Sequence, residues 1–513
     1  MFIDDKFILA PFIKDTNNQG KVLSIAGQIK NKVKNQRLAN GVNIYANWSF
    51  YQGDQAQYFI QRINEPNEVY QKRKDKAVIV NFTKLIVDTN TKFLYASAKI
   101  GRQFGNAKKT QDGLRHINDL INIEQYQLES KRYAGIFGES ITRLVPTDEN
   151  TGEIVFGNAT QTTYPHPIQL NPADTFVYVN SLDQIKAVVI DGEYTDYAND
   201  KTITTLELIV NDSRWYWEDG QLKSAELNQY ALSQEFVVQV NNKIKKDDIS
   251  DILNLQTQLN ETISDNSFFF ERHGRPQLVS SVDLSHVVPG DGKVWNIDLD
   301  SEEHKKVLDQ MGFLVWDGKM AEAMKHAKEL EARIMKIAYV ASISTSDIES
   351  TGQLRTGAAL VTCYGSTIKL TEESRVTWSI NEKKLSYAIA SFDAKLHGQT
   401  LDERYPEYKF RLIFPRSIGI PGEELVDAQI DVMYINSHLK TFKELTQELH
   451  PYMSEDEADA QVEQIMEDSK AVADALRVFE SVKADASGTD AVAQTNNKLP
   501  AKSSKQKSME QNQ

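Results

Sequence analysis

Several short stretches carry residue types capable of chemistry. Gly101–Thr110 (GRQFGNAKKT) combines glycines with lysines, the makings of a phosphate cradle. A phosphate loop needs four residues between its glycines and a Gly-Lys-Ser/Thr ending. Here the glycines are one residue too close and no Gly-Lys-Thr follows, so nucleotide binding is not expected. His304 beside Glu302 and Glu303 has metal-ligand types, but the run reads as a solvated polar turn. Asp247, Asp248 and Asp251 could hold a cation; they equally suit the negative start of a helix. Trp215 and Trp217 share one face of a strand, where sheet packing explains them better than a ligand platform. Cys363 has neither a histidine nor another base nearby in sequence and reads as a small packing residue. No HExxH, CxxC or GxSxG occurs. With no catalytic constellation, no cofactor and no metal site is expected, and a structural component is favoured over an enzyme.

Bulk properties narrow the class. The chain has 513 residues, too many for one compact core, and carries 58 Lys and Arg against 72 Asp and Glu, a formal charge of −14. A protein that grips nucleic acid by neutralising phosphates carries the opposite balance. Its single cysteine excludes an intrachain disulfide and suits a reducing compartment. No apolar run approaches the roughly 20 residues of a membrane span. The first residues, MFIDDKFILAPFIKD, have acids where a signal peptide carries bases, so none is expected.

The elements that must position any site follow from periodicity. IKNKVKNQRLANGVNIYANW predicts a helix and then a loop, Lys74–Leu94 a helix, and Leu120–Phe137 another, with Ile123, Tyr126, Tyr133 and Ile136 on one face. A β-rich block follows: SITRLVP, TGEIVFG, DTFVYVN, IKAVVIDGEY, TTLELIVNDSRWYWEDGQL and EFVVQVN, with a hairpin turn at Asp219–Gly220. Asp247–Glu271 predicts a helix with Ile249, Ile252, Leu255, Leu259 and Ile263 in one stripe, stopped by Gly274 and Pro276. Pro276–Trp316 reads as a small strand-rich module. Lys319–Ala341 predicts a second helix with the stripe Met320, Met324, Ala327, Leu330, Ile334, Ile337 and Ala341. Next comes the polar loop SISTSDIESTGQLR, then a long helix from about Thr356 to Leu396 with Gly365 inside it, and the strand YKFRLIFP. TFKE at Thr441–Glu444 and SEDE at Ser454–Glu457 both fit capping boxes before C-terminal helices. From about Lys483 periodicity is lost and disorder is expected. The fold class read from this order is α+β.

The order of these elements resembles the portal protein, the head-to-tail connector of tailed bacteriophages, of the siphophage type. The resemblance covers roughly Ala46 to Asp468 and rests on spaced motifs, each weak alone. They are NWSFYQGDQAQYF, NFTKLIVDTNTKFLY, YAGIFGESITRLVPTDENTGEIVF, NPADTFVYVN, SDILNLQTQLNETISDNSFFFE, STGQLRTGAAL and HLKTFKELTQELHPYMSEDEADAQVEQIMED. It departs from the family in having Thr356 where Ser is usual, and in lacking a basic patch between the two helices.

The resemblance implies a portal fold. Residues 1–245 would be a wing, 246–272 and 318–341 stem helices, and 273–317 a clip between them. Residues 342–355 would be a tunnel loop, 356–420 the wing's long helix and strand, 421–482 a crown, and 483–513 a disordered tail. It implies a ring, usually of twelve subunits, at one capsid vertex, assembled in the host cytoplasm. Double-stranded DNA would pass through its axis during packaging and ejection. Expected partners are the large terminase, a head-completion or adaptor protein, and the major capsid or scaffold protein, with no membrane. In the loop, Ser344, Thr345, Ser346, Gln353 and Arg355 would meet phosphate oxygens without reading bases. A lysine-rich loop would bind too tightly, because each neutralised phosphate adds salt-dependent affinity. Acidic walls would keep the duplex from sticking, within a Debye length of roughly 8–10 Å. The alternatives are another phage virion ring or baseplate protein, and a hydrolase with dispersed carboxylates. Truncation after Val482 is expected to leave the melting temperature unchanged, since the removed residues lack apolar periodicity. A fall of several degrees in a thermal scan would show that the tail packs.

Overall fold

The computed structural model describes residues 19–95, 100–105, 107–155, 159–196, 200–210, 213–273, 277–280, 311–314, 320–341, 364–414, 431, 433–435, 437, 439–449 and 458–470. The chain divides into two units, Met1–Met433 and Tyr434–Gln513. The fold is mixed α+β with antiparallel sheets.

The first unit opens with helices α1 (Gln19–Ala39), α2 (Ile44–Gln52), α3 (Asn67–Asp75) and α4 (Phe82–Tyr95). Two expectations are corrected here. IYANW is not loop: Asn43 accepts a hydrogen bond from the Ala46 N–H and caps α2. Lys74–Leu94 is not one helix. The segment between α3 and α4 is drawn out because the N–H groups of Val78 and Val80 donate to Ser264 (2.9 Å) and Asn260 (3.0 Å).

After strand β1 (Gly101–Gln103) come α5 (Lys108–Ile121) and α6 (Ile123–Phe137). Asn122, at φ 53°, breaks the expected Leu120–Phe137 helix in front of Ile123. Gly138 then turns the chain into β2 at φ +81°; a Cβ there would sit 2.3 Å from the Lys245 carbonyl oxygen, so only glycine fits. The β-rich block forms two sheets, but the expected strand TGEIVFG is not one of their strands: among the described residues Ile154 makes only an isolated bridge to Thr147. Strands β2 (Glu139–Asp148), β3 (Thr163–Leu170) and β9 (Phe236–Val240) make one sheet, in the order β3-β2-β9. Strands β4 (Thr175–Val179), β5 (Ile185–Asp196), β6 (Lys201–Val210), β7 (Ser213–Glu218) and β8 (Gln221–Leu227) make an antiparallel meander. The β7–β8 turn is the expected hairpin, with Asp219 at φ 46° and Gly220 at φ 76°. Strand β3, TYPHPIQL, escaped sequence reading because it holds Pro165 and Pro167. It is an edge strand, where missing N–H groups are tolerated.

These elements stack in layers. Helix α1 lays Val22, Ala26, Ile29 and Val33 on one face of the meander, against Phe176, Leu208, Trp215 and Trp217. The two tryptophans are therefore sheet packing. The other face of the meander, through Val177, Val188 and Ile209, meets Ile141, Phe236 and Val238 of the smaller sheet. Two arginines, Arg37 buried and Arg143 partly buried, clamp the layers. Arg37 reaches Glu139 (2.7 Å) and the carbonyls of Pro172 and Thr175. Arg143 bonds Glu207 (3.0 Å) on β6 and Glu235 (2.9 Å) in the short helix α7 (Leu232–Glu235).

Beyond β9 run helix α8 (Leu253–His273), the paired strands β10 (Gln277–Ser280) and β11 (Met311–Leu314), helix α9 (Met320–Ile337) and the long helix α10 (Gly365–Leu396). A four-residue helix α11 (Leu401–Arg404) and strand β12 (Arg411–Ile413) follow, and β12 pairs with β1. The second unit contains α12 (Phe442–Leu449) and a helix over 458–470. The Thr441–Glu444 capping box is present: the Thr441 N–H donates to Glu444 (2.9 Å) and the Glu444 N–H to the Thr441 hydroxyl (3.2 Å). The SEDE box lies outside the described residues.

Lys131 of α6 is buried against the Trp378 ring and donates to Asn241. Burial lowers its pKa, against the pull of Asp248. The unfolded chain thus holds this proton more tightly than the folded one. Stability is expected to rise with pH as the ordinary lysine range is approached from below. Lys131→Met should abolish that rise, measured as the difference between the two proteins' denaturation midpoints at pH 7 and 9.5. Parallel pH profiles would show that the lysine titrates normally.

Candidate assembly surface and channel loop

Helices α8 and α9 span about 31 and 27 Å at 1.5 Å per residue. They pack on each other and on α4 and α6 through Ile252, Leu259, Leu330, Ile334 and Met335. The chain reaches α8 through a turn in place of the predicted helical start at Asp247. Asp247 accepts from the N–H groups of Ile249 (2.8 Å) and Ser250 (2.5 Å), capping that turn. Asp248 accepts from Asn241 (2.6 Å) and Asn90 (3.3 Å), and Asp251 pairs with Lys246 (2.6 Å). Each of the three aspartates thus has its own partner. Among the described residues no group of three or more His, Cys, Asp or Glu is placed to hold a metal ion.

The other face of α8 is held by polar contacts. Gln256, Asn260, Glu261, Ser264 and Asp265 recur at helical spacing and meet the segment from Gln55 to Val80. Asn260 donates to Gln55, Gln256 to the Val80 carbonyl (2.5 Å), the Ile60 N–H to Glu261 (3.0 Å), and Arg62 pairs with Asp265. At the far end the chain leaves α8 and re-enters α9 through the β10–β11 ladder, in which Gln277 opposes Leu314 and Ser280 opposes Met311. The inserted module is therefore closed at its base.

At its other end α9 stops at Tyr339, in the left-handed region at φ 56°, followed by buried Val340. The Thr367 hydroxyl, one turn into α10, donates to the Tyr339 carbonyl (2.9 Å) and accepts from the Ala341 N–H (3.1 Å). The chain between 341 and 367 thus departs from and returns to one point. Sequence reading missed Thr367, because it put Gly365 inside a helix from about Thr356; Tyr364 lies in a turn and α10 begins at Gly365, so Thr367 stands in the first turn. The predicted loop residues Ser344, Thr345, Ser346, Gln353 and Arg355 lie outside the described residues, as do His304, Glu302, Glu303, Cys363 and most of the segment between β10 and β11.

Stripes of this length are expected to need a neighbouring subunit to cover them, and within the chain they are covered only in part. Ile249, Ile252, Leu259, Leu330 and Ile334 are buried within the chain itself, because α4 and α6 cover them. Met324 (50% exposed) and Ile337 (44%) of the α9 stripe stay exposed, and apolar surface remains elsewhere too. Ile63 (94% exposed), Ile60 and Phe270 lie along α8 and the segment bonded to it. Val376 (61%) and Ile380 (53%) lie one turn apart on α10.

Among the described residues no helix is long and apolar enough to cross a membrane. The chain matches no known protein-family model, and no curated protein matches it in sequence. Thr367→Val is expected to cost about 1 kcal/mol, because it removes two part-buried hydrogen bonds, to the Tyr339 carbonyl and from the Ala341 N–H. Chemical denaturation measures the loss, and faster hydrogen exchange at the Ala341 amide should accompany it. Unchanged protection there would mean that other contacts hold the loop's ends together.

Proposed function

We propose that the chain is a portal subunit: part of a ring at a capsid vertex that lets double-stranded DNA pass during packaging and ejection. The observation that carries this reading is the double hydrogen bond of Thr367, which closes the base of the polar loop at the end of the α8–α9 pair. A helix, a module closed by a ladder, a returning helix, a loop closed at its base and a long helix form the order that the sequence resemblance implies. The loop would face the duplex, with hydroxyls and Arg355 touching phosphates non-specifically. Two unlike apolar patches, one beside α8 and one on α10, suit a head-to-tail contact, which closes into a ring when the rotation divides a full turn.

Negative-stain images of the purified chain should show closed rings. Ile380→Asp should give monomers with an unchanged melting temperature. Arg355→Glu should leave ring yield intact and lower the DNA packaged per assembled head. A monodisperse monomer at high concentration rejects the ring. Rings with unchanged DNA per head in the Arg355 variant reject the loop as a DNA contact.

A further inference from the structure

An open cleft of about 670 Å³ lies between the two sheets of the first unit. That volume falls in the range of binding pockets. Its walls are the β4–β5 turn, α7, β9 and one turn of α10. Val179, Ile185, Leu232 and Phe236 line its floor, and Tyr387, half exposed, stands at its mouth.

Two features define what fits. The first is a free strand edge. Strand β9 pairs with β2 on one side only. The N–H and C=O of Val240 point to the other side, where both bond the side chain of Asn381 (3.2 and 2.8 Å). Backbone groups alternate along a strand, so those of Val238 point the same way, into the cleft. Among the described residues they have no partner, while the Phe236 N–H closes back onto Leu232. The second feature is charge. Lys186 and Lys384 line the cleft, and Lys245 lies at its margin, 3.8 Å from Asp183. Asp183 also pairs with Lys384, so two lysines face this carboxylate and Lys186 adds a further cation to the lining. This is a local reversal on a chain whose formal charge is −14.

We propose that this cleft binds a short extended segment of a partner protein that carries acidic side chains, adding it as a strand to the free edge of β9. Main-chain bonds to Val238 supply affinity, and alternate side chains supply specificity: apolar ones enter the floor and carboxylates meet Lys186 and its neighbours. The inference stands on the cleft alone and does not depend on the ring.

Random linear decapeptides displayed on phage, panned on the full-length chain and counter-selected on Lys186→Glu, test it. The enriched peptides should carry two or more Asp or Glu between apolar residues at alternate positions. The chain's overall field repels such peptides, so their enrichment points to the cleft. The best synthetic peptide should lose at least tenfold in affinity on Lys186→Glu. N-methylation at one set of alternate residues should cause a similar loss, because it removes strand donors. Bound peptide should slow hydrogen exchange across residues 236–240 at least tenfold. Failure to enrich any peptide, enrichment of basic or proline-rich ones, or indifference to Lys186→Glu or to N-methylation in both registers would overturn the proposal. So would slowing of exchange at 236–240 with protein concentration alone, which would make a second copy of the chain the occupant.

Discussion

A carboxylate buried at the centre of a 32-residue helix constrains the first unit. Glu382 is 2% exposed and accepts from Arg102 through both oxygens (2.8 and 2.9 Å) and from the Tyr95 hydroxyl (2.9 Å). A charge in that position is tolerated only with its partners in place, because losing one leaves several kcal/mol of desolvation uncompensated. The pair therefore fixes the rotation and the axial position of α10. Everything else that the helix touches follows from that register. Asn381, its neighbour, caps the Val240 edge, and Trp378 meets Tyr95 edge-on. Thr367, about 22 Å along the helix, falls where the chain returns from the loop.

The α8 helix is fixed by a different device. Its contacts with the segment from Gln55 to Val80 are side-chain amides, hydroxyls and carboxylates meeting backbone groups. Apolar packing tolerates sliding of one surface on another. A ladder of directed hydrogen bonds does not, since a shift of one residue leaves several buried groups unsatisfied. The angle of the α8–α9 pair against the layered sheets is thereby set by polar complementarity on one side and by a packed core on the other. Under the portal reading, that angle would govern where the loop points.

Charge is distributed in a way that the formal balance conceals. The buried arginines Arg37 and Arg102 and the partly buried Arg143 each face carboxylates, so these charges offset one another inside the fold. The acidic surplus stays at the surface, where it favours solubility and weak contact with polyanions. Against that background the lysines around the β9 cleft stand out as a site of the opposite sign.

Periodicity alone determined the existence and type of the long helices and of most strands. Alternation at Trp215 and Trp217 and the Asp219–Gly220 turn needed no tertiary information, because a half-buried strand and a tight turn impose local patterns. Thr441 and Glu444 likewise declare a helix start through contacts three residues apart. The tertiary structure decided what depends on distant partners. Residues 76–81 hold the β-branched run Val78, Ile79 and Val80, a weak helix former, and Ser264 and Asn260 offer its backbone other bonds. Strand β3 survives its prolines because of where it lies in a sheet. α4 and α6 cover part of the stripe of α8 and α9, while Met324 and Ile337 of the same stripe stay exposed, as do Ile63 and Val376 elsewhere. The closure of the loop at Thr367, the Glu382 anchor and the free edge of Val238 join residues dozens to hundreds of positions apart. A local pattern cannot encode such contacts, because they exist only once the intervening chain has folded between them.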